Sequence, residues 1–158
     1  GGIVAAMLCA LQESDLPFPS CCVLISPWTD LSNNGLSHAT MENEALDYLP
    51  PFLIEWCAEQ ARGDLSETDW RASPVHTEGG LHRFPPIMVV YGQDELLRGQ
   101  IEHFCDVWAS KGADISRRPV EGGVHAPILL QHVWEPSARA LDELADFVDK
   151  CKPGPNQI

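Results

Sequence analysis

The sequence predicts an α/β fold with about three parallel strands and flanking helices. Two short apolar runs, at 21–25 and 87–91, have the length and composition of strands buried on both faces of a sheet. A third run at 113–120 is more polar, which places it nearer an edge. Helical patterns alternate with these runs, and that alternation is typical of βαβ units. An apolar fraction of 44% over 158 residues suits one compact domain.

The first half of the chain begins with a predicted helix. Residues 2–13 are rich in alanine and leucine and apolar on most faces, which predicts a buried helix. Pro17 and Pro19 interrupt that pattern before the first strand at 21–25. A polar, turn-rich stretch through 33–35 follows the strand.

The second half repeats the pattern of helix and strand. Residues 52–62 predict a helix that starts after two prolines, and 87–91 predict the second strand. An amphipathic helix is predicted at 98–111, where Gly112 ends it, and 113–120 form the third strand. A last helix is predicted at about 136–150, followed by a tail at 151–158.

Charge and hydropathy exclude several classes of partner. A net charge of −13 disfavours nucleic acid and anionic membrane surfaces, since both repel an acidic protein. No apolar run approaches the roughly 18 residues of a membrane span, so no transmembrane segment is predicted. The six cysteines include no C-x-x-C pair, and several lie in apolar runs, so we interpret them as reduced thiols.

Two ionisable residues lie just beyond predicted strands. Asp94 follows the second strand, and His125 follows the third strand in a glycine-flanked loop. In open parallel sheets, ligands bind outside the carboxyl ends of the strands. Asp94 and His125 are therefore expected to lie close together at one rim of the sheet.

Five motifs stand out along the chain: S-P-W-T-D-L-S at 26–32, D-Y-L at 47–49, R-A-S-P at 71–74, G-Q-D-E-L-L at 92–97 and G-V-H at 123–125. In this order and spacing they resemble the C-terminal half of the hormone-sensitive-lipase-like branch of the α/β-hydrolases. The resemblance covers nearly the whole chain, from Gly1 to about Lys150. It implies an α/β-hydrolase sheet with a cap-like insertion at about 33–70, within a partial domain at 1–150.

The resemblance also implies roles for individual residues. Asp94 matches the acid of the catalytic triad, and His125 matches its general base. Gly1 and Gly2 resemble the glycine pair that closes the family's nucleophile elbow, so the serine would lie two residues before Gly1. The oxyanion loop would lie further upstream. No cofactor is predicted, and the spacing of histidines and cysteines does not form a zinc set.

Each of these assignments has an alternative. Asp94 could be the N-cap of the following helix, and Glu95 is the nearest competitor for the acid. His125 could be a loop histidine bonded to backbone. The segment 35–39, G-L-S-H-A, nearly matches the G-x-S-x-G motif of a nucleophile elbow, with Ser37 at its centre. An elbow needs an apolar strand before it and a helix after it, and neither pattern is present there.

A possible acyl pocket is built from aromatic residues of the first half of the chain. By the resemblance, its candidates are Trp28, Tyr48, Phe52 and Trp56. Aromatic side chains at helical spacing are as often simple packing, so both interpretations stay open here.

Two classes of function follow. The first is a C-terminal fragment of a serine carboxylic ester hydrolase that acts on a small-molecule acyl ester. The second is a non-catalytic module that binds a protein or an apolar ligand. Loss of the nucleophile from a comparable triad costs about 10⁶ in turnover, so the chain alone is expected to be inactive. Its uncovered sheet edge is expected to promote self-association.

Overall fold

The computed structural model describes residues 1–32 and 41–152. In chain order, its helices and strands are α1 (Gly2–Glu13), β1 (Cys22–Ile25), α2 (Pro51–Arg62), β2 (Ile87–Gly92), α3 (Arg98–Ser110), β3 (Ile115–Val120) and α4 (Glu135–Lys150). Short 3₁₀ turns lie at Met41–Asn43, Pro74–His76 and Pro127–Leu130. The predicted α/β fold class is confirmed, and the ends of the predicted helices and strands differ from these by at most two residues.

The three strands form one parallel sheet in the order β1-β2-β3. Ile25 of β1 pairs with Val90 of β2, and Gly92 of β2 pairs with Val120 of β3. β2 is central and largely buried, as its continuous apolar run requires. β3 lies at an edge and exposes several of its side chains, as its polar composition predicts.

Helices cover both faces of this sheet. α1 and α3 pack on one face, where Leu8, Phe104 and Trp108 are fully buried. The indole Nε1 of Trp108 donates to the carbonyl of Pro74 at 3.0 Å, which satisfies the polar atom of this buried ring. α4 packs on the other face through Ala140. All three strands are thereby held with their carboxyl ends at one rim.

The burial of α1 differs from the prediction. Leu8 and Cys9 are buried, but Ile3 is 87% exposed and Met7 is 44% exposed. The prediction that α1 is buried on most faces is therefore wrong for its outer face. The physical reason is that no described part of this chain packs against that side of the helix.

The cysteines are free thiols in the described structure. Burial raises the pKa of Cys9 to about 11 and that of Cys105 to about 12. Both therefore stay protonated near neutral pH and pack as small apolar side chains. None of the described helices is both long enough and apolar enough to cross a bilayer.

Candidate active site

Three loops meet at the carboxyl rim of the sheet, and each carries one polar residue of the candidate site. Ser26 follows β1, Glu95 follows β2 and His125 follows β3. Parallel pairing brings these strand ends side by side, which is the placement expected for a site in an open α/β sheet.

The carboxylate that lies beside His125 at this rim belongs to Glu95. Its Oε1 lies 3.6 Å from Nδ1 of His125. The Glu95 side chain is fully buried, and the His125 side chain is 24% exposed. Neither Oε1 nor Nδ1 has a hydrogen-bond partner among the described residues. Catalytic hydrogen bonds are often long without substrate and tighten when it binds, so a separation of 3.6 Å is compatible with a hydrogen bond that forms on ligand binding.

The other oxygen of Glu95 is fixed by two donors. Oε2 accepts from the hydroxyl of Ser26 at 2.6 Å and from the backbone N–H of Gly92 at 2.8 Å. A buried carboxylate is costly unless it is paired and hydrogen-bonded. These two bonds orient the group, so that Oε1 faces the imidazole.

Asp94 was expected beside His125, but the carboxylate that lies there is that of Glu95. Asp94 is half-buried, and its backbone N–H donates to the carbonyl of Gly123 at 2.8 Å. Gln93 and Asp94 form a turn after β2. The side chain of the next residue, Glu95, is buried beneath the rim. The N-cap alternative for Asp94 is not observed either, because α3 begins at Arg98 with Leu97 as its cap.

One signal in the sequence favours Glu95 over Asp94. Glu95 is followed by Leu96 and Leu97, which are both buried, so its position belongs to an inward-facing segment. A carboxylate that begins such a segment is better placed to be enclosed than one within the turn. The family resemblance assigned the acid to Asp94, with Glu95 as its nearest competitor.

The loops approach each other so closely that glycine is required at the contact. A Cβ built on Gly92 would lie 2.1 Å from the carbonyl oxygen of Gly123. Gly122 has a φ of +67°, a backbone conformation that side chains rarely adopt. The glycine pair before His125 therefore lets its loop pass directly over the end of β2.

Backbone strain is concentrated at the same rim. Ser26 has a φ of +39° and Ala126 a φ of +53°, which are uncommon values for residues other than glycine. The N–H of Ala126 donates to Oγ of Ser26 at 2.9 Å. Ser26 thus joins the acid and the histidine loop, and strain of this kind is often found at functional sites. The hydroxyl of Ser26 donates to Glu95 and not to His125.

A mainly apolar cavity of about 610 Å³ opens beside His125. Its lining includes Trp28, as the acyl-pocket prediction expects, together with Leu53 and Cys57 of α2. A volume of this size is typical of a small-molecule site.

The other three pocket candidates do not line this cavity. Phe52 is 71% exposed and Trp56 is 59% exposed, because they lie on the outer face of α2. Ile54 lies on the opposite, inner face. Tyr48 contacts the site instead, with its ring edge-on to the His125 imidazole at 6.1 Å between centroids.

The start of α1 borders the same cavity. Gly1 and Gly2 both contribute to its lining. A Cβ on Gly2 would lie 2.0 Å from the carbonyl oxygen of Trp28, so this helix start packs tightly on the loop after β1. The beginning of the chain and His125 therefore face one shared space.

Two of the other histidines have their own contacts in the described structure. Nε2 of His76 lies 3.6 Å from the buried carboxylate of Asp30, and His82 packs against Gly112. Within the described ranges, no group of three or more His, Cys, Asp or Glu side chains could hold a metal ion. Ser37 and His38 of the elbow-like segment lie outside the residues that the structure describes.

A family model and a known relative both match this chain. Residues 1–129 match the family model described as the alpha/beta hydrolase fold. An acetyl-hydrolase of Streptomyces hygroscopicus is 36% identical over 99 residues, which are 61% of this chain and 31% of that protein.

Solved structures share the fold at low sequence identity. A hormone-sensitive lipase from a metagenome library superposes with a TM-score of 0.87 at 19% identity, over 96% of this chain and 51% of that one. An esterase/lipase from an uncultured bacterium gives a TM-score of 0.82 at 20% identity, over 95% and 49%. This chain therefore spans about half the length of the solved structures it matches, and less of the acetyl-hydrolase.

Proposed function

The chain belongs to the alpha/beta hydrolase fold family, and from that premise we propose that it supplies the acid and base of a serine carboxylic ester hydrolase. Glu95 is the acid and His125 is the general base. The observation that carries the proposal is the 3.6 Å approach of Glu95 Oε1 to His125 Nδ1 at the mouth of an apolar cavity. The acetyl-hydrolase relative supports an acyl ester as the substrate class.

The chemistry requires the two residues in this order. His125 takes the proton of a serine hydroxyl as the oxygen attacks the ester carbonyl, and it later gives that proton to the departing alcohol. Water then releases the acid from the acyl-enzyme by the same proton transfers in reverse. The Glu95 carboxylate holds the Nδ1–H tautomer and stabilises the imidazolium that forms in each step.

We further propose that the nucleophile comes from outside these 158 residues, as the family resemblance implies. We place that serine on a segment adjoining Gly1, because the start of α1 borders the cavity that His125 borders. The length of the solved neighbours, about twice that of this chain, also supports a second half that carries the serine and the oxyanion donors. The acyl group of the substrate would occupy the cavity between Trp28 and α2.

Active-site labelling tests this assignment. A fluorophosphonate probe, which reacts with activated serines, should leave this chain unlabelled. A longer polypeptide that includes the sequence encoded upstream of Gly1 should be labelled at the serine near Gly1. His125→Ala should abolish that labelling, since loss of the histidine of a comparable triad costs about 10⁶ in turnover. Mass spectrometry locates the label.

The exposed residue His132 provides the matched control. His132→Ala should leave labelling of the longer polypeptide unchanged. Absence of label in that polypeptide would favour the non-catalytic module that binds an apolar ligand in the cavity. Labelling of the 158-residue chain itself would show that another nucleophile is present and would overturn the assignment.

The second half that we propose also explains the uncovered surfaces of this chain. In the described residues β1 pairs with β2 along one edge only, and Ile3 of α1 is 87% exposed. Unpaired strand edges and apolar faces favour association between chains. We expect the isolated chain to self-associate and to bind a hydrophobic dye, measured by sedimentation and by fluorescence.

A surface substitution tests the origin of that behaviour. Ile3→Glu should reduce both association and dye binding, because it places a charge on the uncovered face of α1. Val133→Glu is the control, since Val133 is 83% exposed beyond the sheet rim, on the segment before α4. A monodisperse monomer of the unaltered chain that binds no dye would contradict the expectation.

A further inference from the structure

A short segment before α2 contacts both loops that carry the acid–base pair. It comprises residues 43–48 and is called the clasp segment here. At its start, the Nδ2 group of Asn43 donates to the carbonyls of Gln93 at 2.9 Å and Glu95 at 3.1 Å. Asn43 is 5% exposed, so these bonds are shielded from water. The clasp segment therefore holds the backbone on both sides of the turn that delivers Glu95.

Asp47 joins the acid loop to the histidine loop. Its Oδ2 accepts from the backbone N–H of Leu96 at 2.7 Å, one residue after the acid. Its Oδ1 accepts from the backbone N–H of His125 at 3.3 Å and from the N–H of Tyr48 at 2.8 Å. One carboxylate thus bridges two loops that are separated by nearly thirty residues.

Tyr48 adds a second contact to the histidine loop. Its hydroxyl donates to the carbonyl of His125 at 3.1 Å. Burial, and then the negative charges of Asp47 and Glu95, raise the pKa of Tyr48 above its ordinary value. The phenol therefore remains protonated and able to donate throughout the neutral range. The N–H and C=O of His125 are both held by adjacent residues of the clasp segment.

We propose that Asp47 is a positioning residue that sets the separation of the Glu95 carboxylate and the His125 imidazole. Its role in catalysis rests on the proposed function. The link that it forms between the two loops does not depend on that function. A carboxylate suits this position because it has two acceptor oxygens and no donor. An asparagine offers one acceptor oxygen, so it cannot receive both backbone N–H groups in the same way.

A different role for Asp47 is purely local. Its bond to the N–H of Tyr48 is a common contact of aspartate in turns and needs no connection to the site. The two roles differ in one measurable respect. If Asp47 positions the pair, its removal changes how strongly His125 senses Glu95, whereas a turn residue leaves that coupling intact.

Chemical modification of His125 measures the coupling in the full 158-residue chain. Diethyl pyrocarbonate acylates an imidazole nitrogen, and tandem mass spectrometry gives the rate at each histidine, including in associated chains. We expect Glu95→Gln to slow modification of His125 by about tenfold, equivalent to 1.4 kcal/mol, because the neighbouring negative charge is lost. His132 provides the internal reference rate.

The second half of this double-mutant cycle removes Asp47. In Asp47→Ala the same Glu95→Gln change should alter the His125 rate by less than about twofold. Asp47→Asn keeps the size and one acceptor, and it should give a coupling between these two values. Should Asp47→Ala fail to fold by circular dichroism, Asp47→Asn carries the test. Glu44→Ala, at an exposed position of the clasp segment, is the matched control and should keep the full coupling.

The outcomes separate this inference from the proposed function. A full tenfold effect of Glu95→Gln in both Asp47 variants would overturn the positioning role, whatever the activity of the longer polypeptide. Loss of coupling in Asp47→Ala would support the role even if no serine is ever labelled. An effect of Glu95→Gln below twofold in the unaltered chain would show that the two side chains are uncoupled, and both proposals would then fail.

Discussion

Glu95→Gln is expected to lower ester turnover by about 10⁴-fold in a polypeptide that supplies the serine, as the equivalent change of acid to amide does in a serine protease. Asp94→Asn should leave turnover within about twofold, because the Asp94 side chain does not line the cavity and the carboxylate beside His125 is that of Glu95. The two carboxylates are adjacent in the chain, so the pair of variants is a matched comparison. Rates of p-nitrophenyl ester hydrolysis at saturating substrate measure the difference.

The tautomer of His125 explains why the amide is so damaging. The oxygen of a glutamine at 95 can still accept from Ser26 and from the Gly92 N–H, as Oε2 does now. Its NH₂ group would then face Nδ1 of His125 as a donor. The imidazole can accept this hydrogen bond only if Nδ1 is unprotonated, so its proton lies on Nε2. A histidine in that form cannot accept the proton of a serine.

The steady-state constants provide a further check. The Glu95 carboxylate is fully buried and faces the ring rather than the cavity. Its loss should therefore lower kcat and leave KM nearly unchanged, since ground-state contacts with the ester remain. A large loss of turnover in Asp94→Asn together with a small one in Glu95→Gln would restore the original assignment of the acid and would contradict the geometry described above.

The fold and the rim could be predicted from the sequence because local patterns encode them. The run at 87–91 is apolar on both faces, which predicts a buried strand, and β2 is central and largely buried. Helix starts after prolines and ends at glycines were similarly informative, as at Gly112. Parallel topology then places the strand ends, and hence His125, at one rim without any knowledge of side-chain contacts.

The choice between Asp94 and Glu95 as the carboxylate beside His125 could not be predicted in the same way. Asp94 and Glu95 differ by one position, and a two-residue turn decides which of them faces inward. The same limit applies to α2, where Phe52 and Trp56 share one face and the pattern does not say which face meets the cavity. Asp47 lies 49 residues from Leu96 and 78 from His125. Contacts over such separations leave no local periodicity.

Gly92→Ala is expected to destabilise the chain by about 3 kcal/mol or more, above the usual cost of overpacking. The added Cβ would lie 2.1 Å from the carbonyl oxygen of Gly123 and 2.5 Å from that of Val124. Both obstacles are backbone atoms, so no side chain can rotate to make room. The histidine loop must move away from β2, which breaks the bond from the Asp94 N–H to Gly123.

Melting temperatures at one fixed protein concentration measure this cost. At about 2–4 °C per kcal/mol for a chain of this size, Gly92→Ala should melt roughly 6–12 °C lower. Gly79→Ala is the control, because Gly79 has a φ of +80° and no atom within 4 Å of an added Cβ. Gly79→Ala tests the effect of a positive φ without a steric clash. It should lower the free energy of unfolding by about 1–2 kcal/mol.

A second measurement connects the clash to the site. Because the displaced loop carries His125, Gly92→Ala should also remove the dependence of His125 modification on Glu95, whereas Gly79→Ala should preserve it. Equal melting temperatures for the two variants, with the dependence intact in both, would mean that the loop can yield at Gly123 without moving the imidazole. The glycine at the end of β2 would then be dispensable for the pairing of acid and base.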